Sequence, residues 1–310
     1  MNGRISADRF YAAIATPMRD DESVDLETLA TLIDRYIAKG VEGVYCNGSS
    51  GEGLLLSIEE RKATVETAVQ ASGGRVPVIA HIACMSTKDS IGLGQHASHV
   101  GADAVSMIPP LFYGYAEEEV LGFYLDVMDE IELPMFIYNI PQFSKTQISD
   151  RTFNALLRDE RVAGVKFTDH DMFALQELRV AHPEKVLING FDETYVPARA
   201  AGATGAIGTT VGLQTELFLA ARRRFDSGDV AGAQAVQQRI NAIIRGLVDN
   251  DVFPAAKYLS GRDIGSLGDC RRPLRQLSPE TKAALDKLGQ TLDRFLQETA
   301  QEEASARHSA

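Results

Sequence analysis

Apolar and polar positions along the chain follow two alternating rhythms. Short β-branched or apolar runs alternate with segments whose apolar residues recur every three to four positions, which is the pattern of βαβ units around a parallel sheet. Eight runs read as strands: FYAAIATP from Phe10, VEGVYCNG from Val41, VPVIAHI from Val76, DAVSMIPP from Asp103, PMFIYNIP from Pro134, VAGVKFT from Val162, VLINGFD from Val186 and TGAIGTT from Thr204. The first intervening helix gathers Leu26, Leu29, Ile33, Tyr36 and Ile37 on one face and closes at Gly40, where glycine suits a left-handed cap. The second opens on Ser57 with Glu60 three residues on, a capping box in which each side chain satisfies an orphan amide. Eight such units with near-continuous apolar strands predict an α/β fold, a closed (β/α)8 TIM barrel rather than an open doubly wound sheet. The barrel through strand eight is expected over residues 1–212, and the last barrel helix plus a helical C-terminal extension over 213–310. Ser278 as cap and Pro279 at the first helical position announce the final helix, and from about Ala300 the small, polar tail is expected to fray.

Composition narrows the function classes. With 45% hydrophobic and 24% charged residues over 310 positions, the chain can bury a large core and is no disordered segment. Thirty-one basic against 43 acidic residues give a formal charge of −12, the wrong sign for a broad phosphate-binding face, so nucleic acid is not an expected partner. Cys46, Cys84 and Cys270 are widely spaced with no CxxC, which argues against a disulfide framework or thiolate zinc site and fits a reducing compartment. The opening residues lack the apolar core of a secretion signal, and no apolar stretch nears the ~18 residues of a membrane span, so a cytoplasmic location is expected. The Asn47-Gly48-Ser49 sequon carries no weight in that setting.

Barrel chemistry sits where strands end, because the βα loops gather there. Lys166 is the sharpest feature: VAGVKF places a primary amine in an apolar strand, with the parity of Gly164 and Val162. Burial lowers an amine's pKa and yields a neutral nucleophile able to form an imine with a carbonyl, although a lone strand lysine also often snorkels outward. Tyr138, ending strand five, can shuttle a proton or simply pack its ring. Gly48-Ser49-Ser50-Gly51-Glu52 offers amides and two hydroxyls to a small carboxylate, without the lysine of a Walker A loop. Gly92-Leu93-Gly94-Gln95-His96-Ala97 matches a dinucleotide fingerprint by letters but lies inside a helical stretch, and His96 and His99 read as a pair on a solvated helix face. Only His81 among these histidines lies near a strand end, so metal ligands are not evident.

Taken in order, GSSGE, YNIP, the lysine of GVKFT and the GAIGTT run resemble the pyruvate-dependent class I aldolases grouped as dihydrodipicolinate synthases and N-acetylneuraminate lyases, over almost the whole chain. The resemblance implies Lys166 as the Schiff-base lysine, Tyr138 as the proton-transfer residue, and Ser49 and Ser50 as binders of the pyruvate carboxylate, with Ser50 also in a hydroxyl relay. In the synthases an arginine typically stands where this chain has Phe143, while Asn189-Gly190-Phe191-Asp192-Glu193 is similar to the lyase pattern. On that likeness Gly190, Asp192 and Glu193, together with Thr168 and Thr209, would contact a polyhydroxyl chain. Cleavage of N-acetylneuraminate to pyruvate and N-acetylmannosamine is therefore the expected reaction. The alternatives are a related aldolase or dehydratase acting on a 2-keto-3-deoxy sugar acid, and a barrel that binds ligand without catalysis. A tyrosine that reaches a neighbouring subunit's site in this family is replaced here by Phe112, with Tyr113 beside it. The resemblance further implies a homotetramer, no cofactor and no metal.

Overall fold

The computed structural model describes Ile5 and residues 8–309, with side chains described through residue 305. Eight parallel strands close into a ring in chain order, the last pairing with the first. They are β1 (Phe10–Ala13), β2 (Gly43–Cys46), β3 (Val78–His81), β4 (Ala104–Met107), β5 (Met135–Asn139), β6 (Val162–Phe167), β7 (Val186–Asn189) and β8 (Gly205–Gly208). Each ladder is shorter than the apolar run that announces it, because the run continues into the loop that leaves the sheet.

The helices that cover the ring follow from local signals. α1 (Leu26–Ala38) starts at Asp25, whose side chain accepts the Thr28 N–H, and buries Leu29, Leu32, Ile33 and Tyr36; Gly40 takes φ +95° just past its end. α2 (Ile58–Ser72) opens with the Ser57–Glu60 capping box. α3 (Thr87–Val100) contains Gly92 and Gly94, so neither stands in a strand-to-helix turn, and Gly94 serves helix packing: a Cβ there would come within 2.8 Å of Ile131. α4 (Glu117–Asp129), α5 (Pro141–Ser144), α6 (Asp150–Arg158), α7 (Met172–Ala181) and α8 (Tyr195–Ala200) continue the alternation. After β8 come α9 (Thr215–Asp226), α10 (Val230–Val248), α11 (Val252–Ser260) and α12 (Pro279–Ser309).

The core has two parts. One fills the ring and its contacts with α1–α7; the other lies between Phe10, Tyr195 and Phe218 and the apolar faces of α9–α12. The expected fraying beyond Ala300 is corrected, since α12 runs on to Ser309. Its acidic residues hold it down: Glu302 bonds Arg224 at 2.8 Å and Arg239 at 2.5 Å, and Glu303 bonds Arg223 at 2.9 Å. His96, read as solvated, is half-buried with a ring nitrogen 3.3 Å from the Lys62 carbonyl, whereas His99 is exposed. Among the described residues no helix is long and apolar enough to cross a membrane.

Candidate active site

Pairing register places Tyr138 of β5 directly beside Lys166 of β6, next to a register shift opposite Met135 and Phe136. Lys166 is buried, with Nζ 3.8 Å from the Tyr138 ring centroid and 4.2 Å from that of Tyr45. Burial pushes its pKa below the ordinary lysine value, against the opposing pull of Tyr138 and, more weakly, Asp192. Tyr45, anchored by its hydroxyl to Ser106 Oγ at 3.2 Å, meets Tyr138 edge-on at 6.2 Å. His81 closes the cluster, its ring 5.9 Å from that of Tyr138. Neither of its ring nitrogens makes a full hydrogen bond, and burial first, then Arg61 and Lys166, hold it neutral.

Above Lys166 lies a cavity of about 390 Å³. Its walls include Ser49, Ser50, Tyr138, Thr168, Gly190, Asp192, Glu193 and Thr209, so all of the residues expected at the pyruvate and polyol ends are brought together with the amine. Phe143 also lines it, and among the described residues no arginine does. Phe112 and Tyr113 do not; their rings meet edge to face at 5.1 Å in the exposed loop before α4.

The loop after β2 is built tightly. Ser49–Gly51 form a 3-10 turn flanked by two non-glycine residues in left-handed backbone, Asn47 at φ 59° and Glu52 at φ 57°. Asn47 donates to the Arg61 carbonyl at 2.9 Å and accepts from Thr64 at 2.6 Å, so the sequon asparagine is an internal strut. Thr16 Oγ1 donates to the Gly51 carbonyl at 2.7 Å, and Ser50 Oγ lies 2.7 Å from Thr209 Oγ1.

At the opposite wall Asp192 is buried, with one oxygen accepting the Thr210 N–H at 2.8 Å and its hydroxyl at 2.7 Å. The other oxygen has no partner, nor does Thr168 Oγ1. Burial raises the Asp192 pKa to about 6, against the Thr210 hydrogen bonds. Both side chains press onto glycines: a Cβ on Gly208 would come within 1.6 Å of Asp192 Oδ1, and one on Gly190 within 1.8 Å of Thr168 Oγ1. Both residues line the cavity, and a buried oxygen left without a partner is the exception that calls for one.

Residues not singled out from sequence are Tyr45, Phe253 and Lys257. Tyr45 is signalled only by register, Val44 and Tyr45 alternating across the wall. Lys257 reads as an ordinary helix lysine until the fold brings it to Glu52, 2.8 Å away.

A closed parallel barrel with an amine buried at its strand ends is the arrangement of class I aldolases, which act through a lysine imine. The chain belongs to the family described as "Dihydrodipicolinate synthetase family", which matches residues 6–292, and is a Schiff-base, pyruvate-dependent lyase of that family. It is 36% identical to an N-acetylneuraminate lyase of Rhizobium meliloti over 279 residues, 89% of this chain and 92% of that one. Among solved structures, the sialic acid aldolase of Ruminococcus gnavus superposes with TM-score 0.91 at 29% identity, covering 95% of this chain and 100% of that one. A dihydrodipicolinate synthase of Bacillus anthracis superposes with TM-score 0.88 at 25% identity, covering 92% and 98%.

Proposed function

We propose that the protein cleaves N-acetylneuraminate reversibly to pyruvate and N-acetylmannosamine, with Lys166 as the Schiff-base lysine. The observation that carries the reading is a buried amine and, lining the same cavity, the polar side chains of Thr168, Asp192, Glu193 and Thr209. An aldol substrate with a keto acid at one end and a polyol at the other matches both. The relative of Rhizobium meliloti that shares 36% identity supports the choice, as does Phe143, which cannot bind a second carboxylate as arginine would.

In this reading neutral Lys166 attacks the C2 ketone, and loss of water gives an iminium. Tyr138 takes the C4 hydroxyl proton as it passes its own to the substrate carboxylate, with Ser50 and Thr209 in the relay. The C3–C4 electron pair flows into the iminium, the aldehyde leaves, C3 of the enamine is protonated, and water frees pyruvate and the amine. Ser49, Ser50 and the turn amides hold the carboxylate. That capture is local, because the net charge of −12 repels an anionic sugar at long range. Gly190, Asp192, Glu193, Thr168 and Thr209 line the path of the polyol.

The site works without metal or organic cofactor in this scheme. We further place the enzyme in the cytoplasm as a homotetramer, with the barrel dividing from its helical extension at residue 212. Apolar surface supports self-association: Phe112, Phe173 and Val180 are 83%, 72% and 71% exposed. Tyr113, beside Phe112, is the candidate for a hydroxyl lent to a neighbouring subunit.

Incubation with pyruvate and borohydride, followed by peptide mapping, tests the reading. An adduct on Lys166 together with turnover of N-acetylneuraminate is expected; absence of any adduct on folded protein refutes it. A 2-keto-3-deoxy sugar acid, which presents the same keto acid and hydroxyl chain to this cavity, is the second reading, and profiling of aldehyde acceptors with pyruvate separates the two.

A further inference from the structure

α11 carries Phe253 and Lys257 one turn apart, so their side chains leave the same face. Phe253 lines the cavity above Lys166. Lys257 turns inward and is only 1% exposed. Its Nζ donates to Glu52 Oε1 at 2.8 Å and to the Asp269 carbonyl at 2.9 Å. Glu52 is equally hidden, and its second oxygen accepts the Arg271 N–H at 2.6 Å.

Glu52 is also the residue that ends the Ser49–Gly51 turn, in left-handed backbone that a side chain bears only when its surroundings hold it. An ion pair sealed from water is a poor device for stability alone, because apolar replacements of the same volume serve as well or better. Its distinctive contribution is geometric, fixing one atom against another across 205 residues of chain.

We propose that Lys257 is a positioning residue. Through Glu52 it orients Ser49 and Ser50, and through its own helix it sets the distance from that turn to the Phe253 wall. Lys257 does not line the cavity, so it acts without touching substrate. The inference rests on reading the Ser49–Gly51 turn as the cradle for the pyruvate carboxylate.

The test compares the full-length wild type with Lys257→Met, Lys257→Arg and the double variant Glu52→Gln/Lys257→Met. The readouts are the pyruvate concentration that half-saturates borohydride trapping at Lys166, kcat and KM for cleavage, and thermal stability. Folded Lys257→Met is expected to need about tenfold more pyruvate, the weight of one lost ordering contact, with KM rising more than kcat falls and Lys257→Arg recovering most of the loss. The double variant is expected to regain stability, since it buries no lone charge, but not pyruvate affinity. It decides the matter if Lys257→Met does not fold. Trapping at wild-type pyruvate concentrations in either Met variant overturns the positioning role. A wild type that forms no adduct at Lys166 removes the functional reading, and the inference with it.

Discussion

The Lys166 amine is pulled in two directions. The Tyr138 and Tyr45 ring faces, 3.8 and 4.2 Å away, favour its ammonium by about 2 kcal/mol each when desolvated. Burial pulls the other way and outweighs the Tyr138 hydroxyl and Asp192, so its pKa moves downward. Imine formation should therefore rise with pH through an amine pKa below the ordinary lysine value of ~10.4, and trapping rates measured across that range check the direction. Lys166→Ala should abolish the adduct altogether. Asp192 has the opposite problem. Its pKa of about 6 lies above that of an unfolded aspartate, so the folded state binds the proton more readily. The stability it contributes is present in acid and is lost as pH rises through about 6. Asp192→Asn is accordingly expected to stabilise the protein by about 1–3 kcal/mol near neutrality and by nothing near pH ~4, while cleavage falls about 100-fold. Thermal denaturation at the two pH values, beside activity, would show it; equal stabilisation at both would sink the argument.

At the level of elements, β7 and β8 matter for what their glycines leave out. Gly208→Ala would drive a methyl into Asp192, so loss of cleavage with near-native circular dichroism is expected, and an unchanged kcat/KM would contradict it. Much of this architecture was legible beforehand. The apolar runs located every strand, and parity singled out Lys166, because a strand amine among valines has few places to go. Capping at Ser57 and Ser278 was legible too, being local chemistry. Lys257 was not, because VFPAAKYLS carries its lysine where a solvated one would also stand, and its partner lies far away in the chain. Tyr45 and the orphaned Asp192 oxygen likewise depend on closure of the ring. Fraying was expected of the tail because its composition is polar; the arginines that bind Glu302 and Glu303 belong to α9 and α10, and no local pattern advertises them.

For the molecule as a whole, that docking gives α12 a salt-sensitive grip. Glu302 is held down to about pKa 2 by Arg239 and then Arg224, so its contribution is present at neutral pH and fades as pH falls toward that value. The contacts are partly exposed, and each is worth about 0.2–1 kcal/mol. Deleting residues 302–310 should lower Tm by about 2–4 °C, less in high salt, and leave KM unchanged. A shift in KM would instead connect the last helix to the cavity.

The ring order has its own consequence for how the chain is made. Because β1 pairs with both β2 and β8, the first strand synthesised waits for the last one. Until Gly205–Gly208 leaves the ribosome, the growing sheet keeps two open edges, each a row of unpaired amides and carbonyls ready to pair with another nascent chain. Completion of β8 abolishes both edges at once, so the hazard of misassembly on the polysome ends abruptly, late in translation.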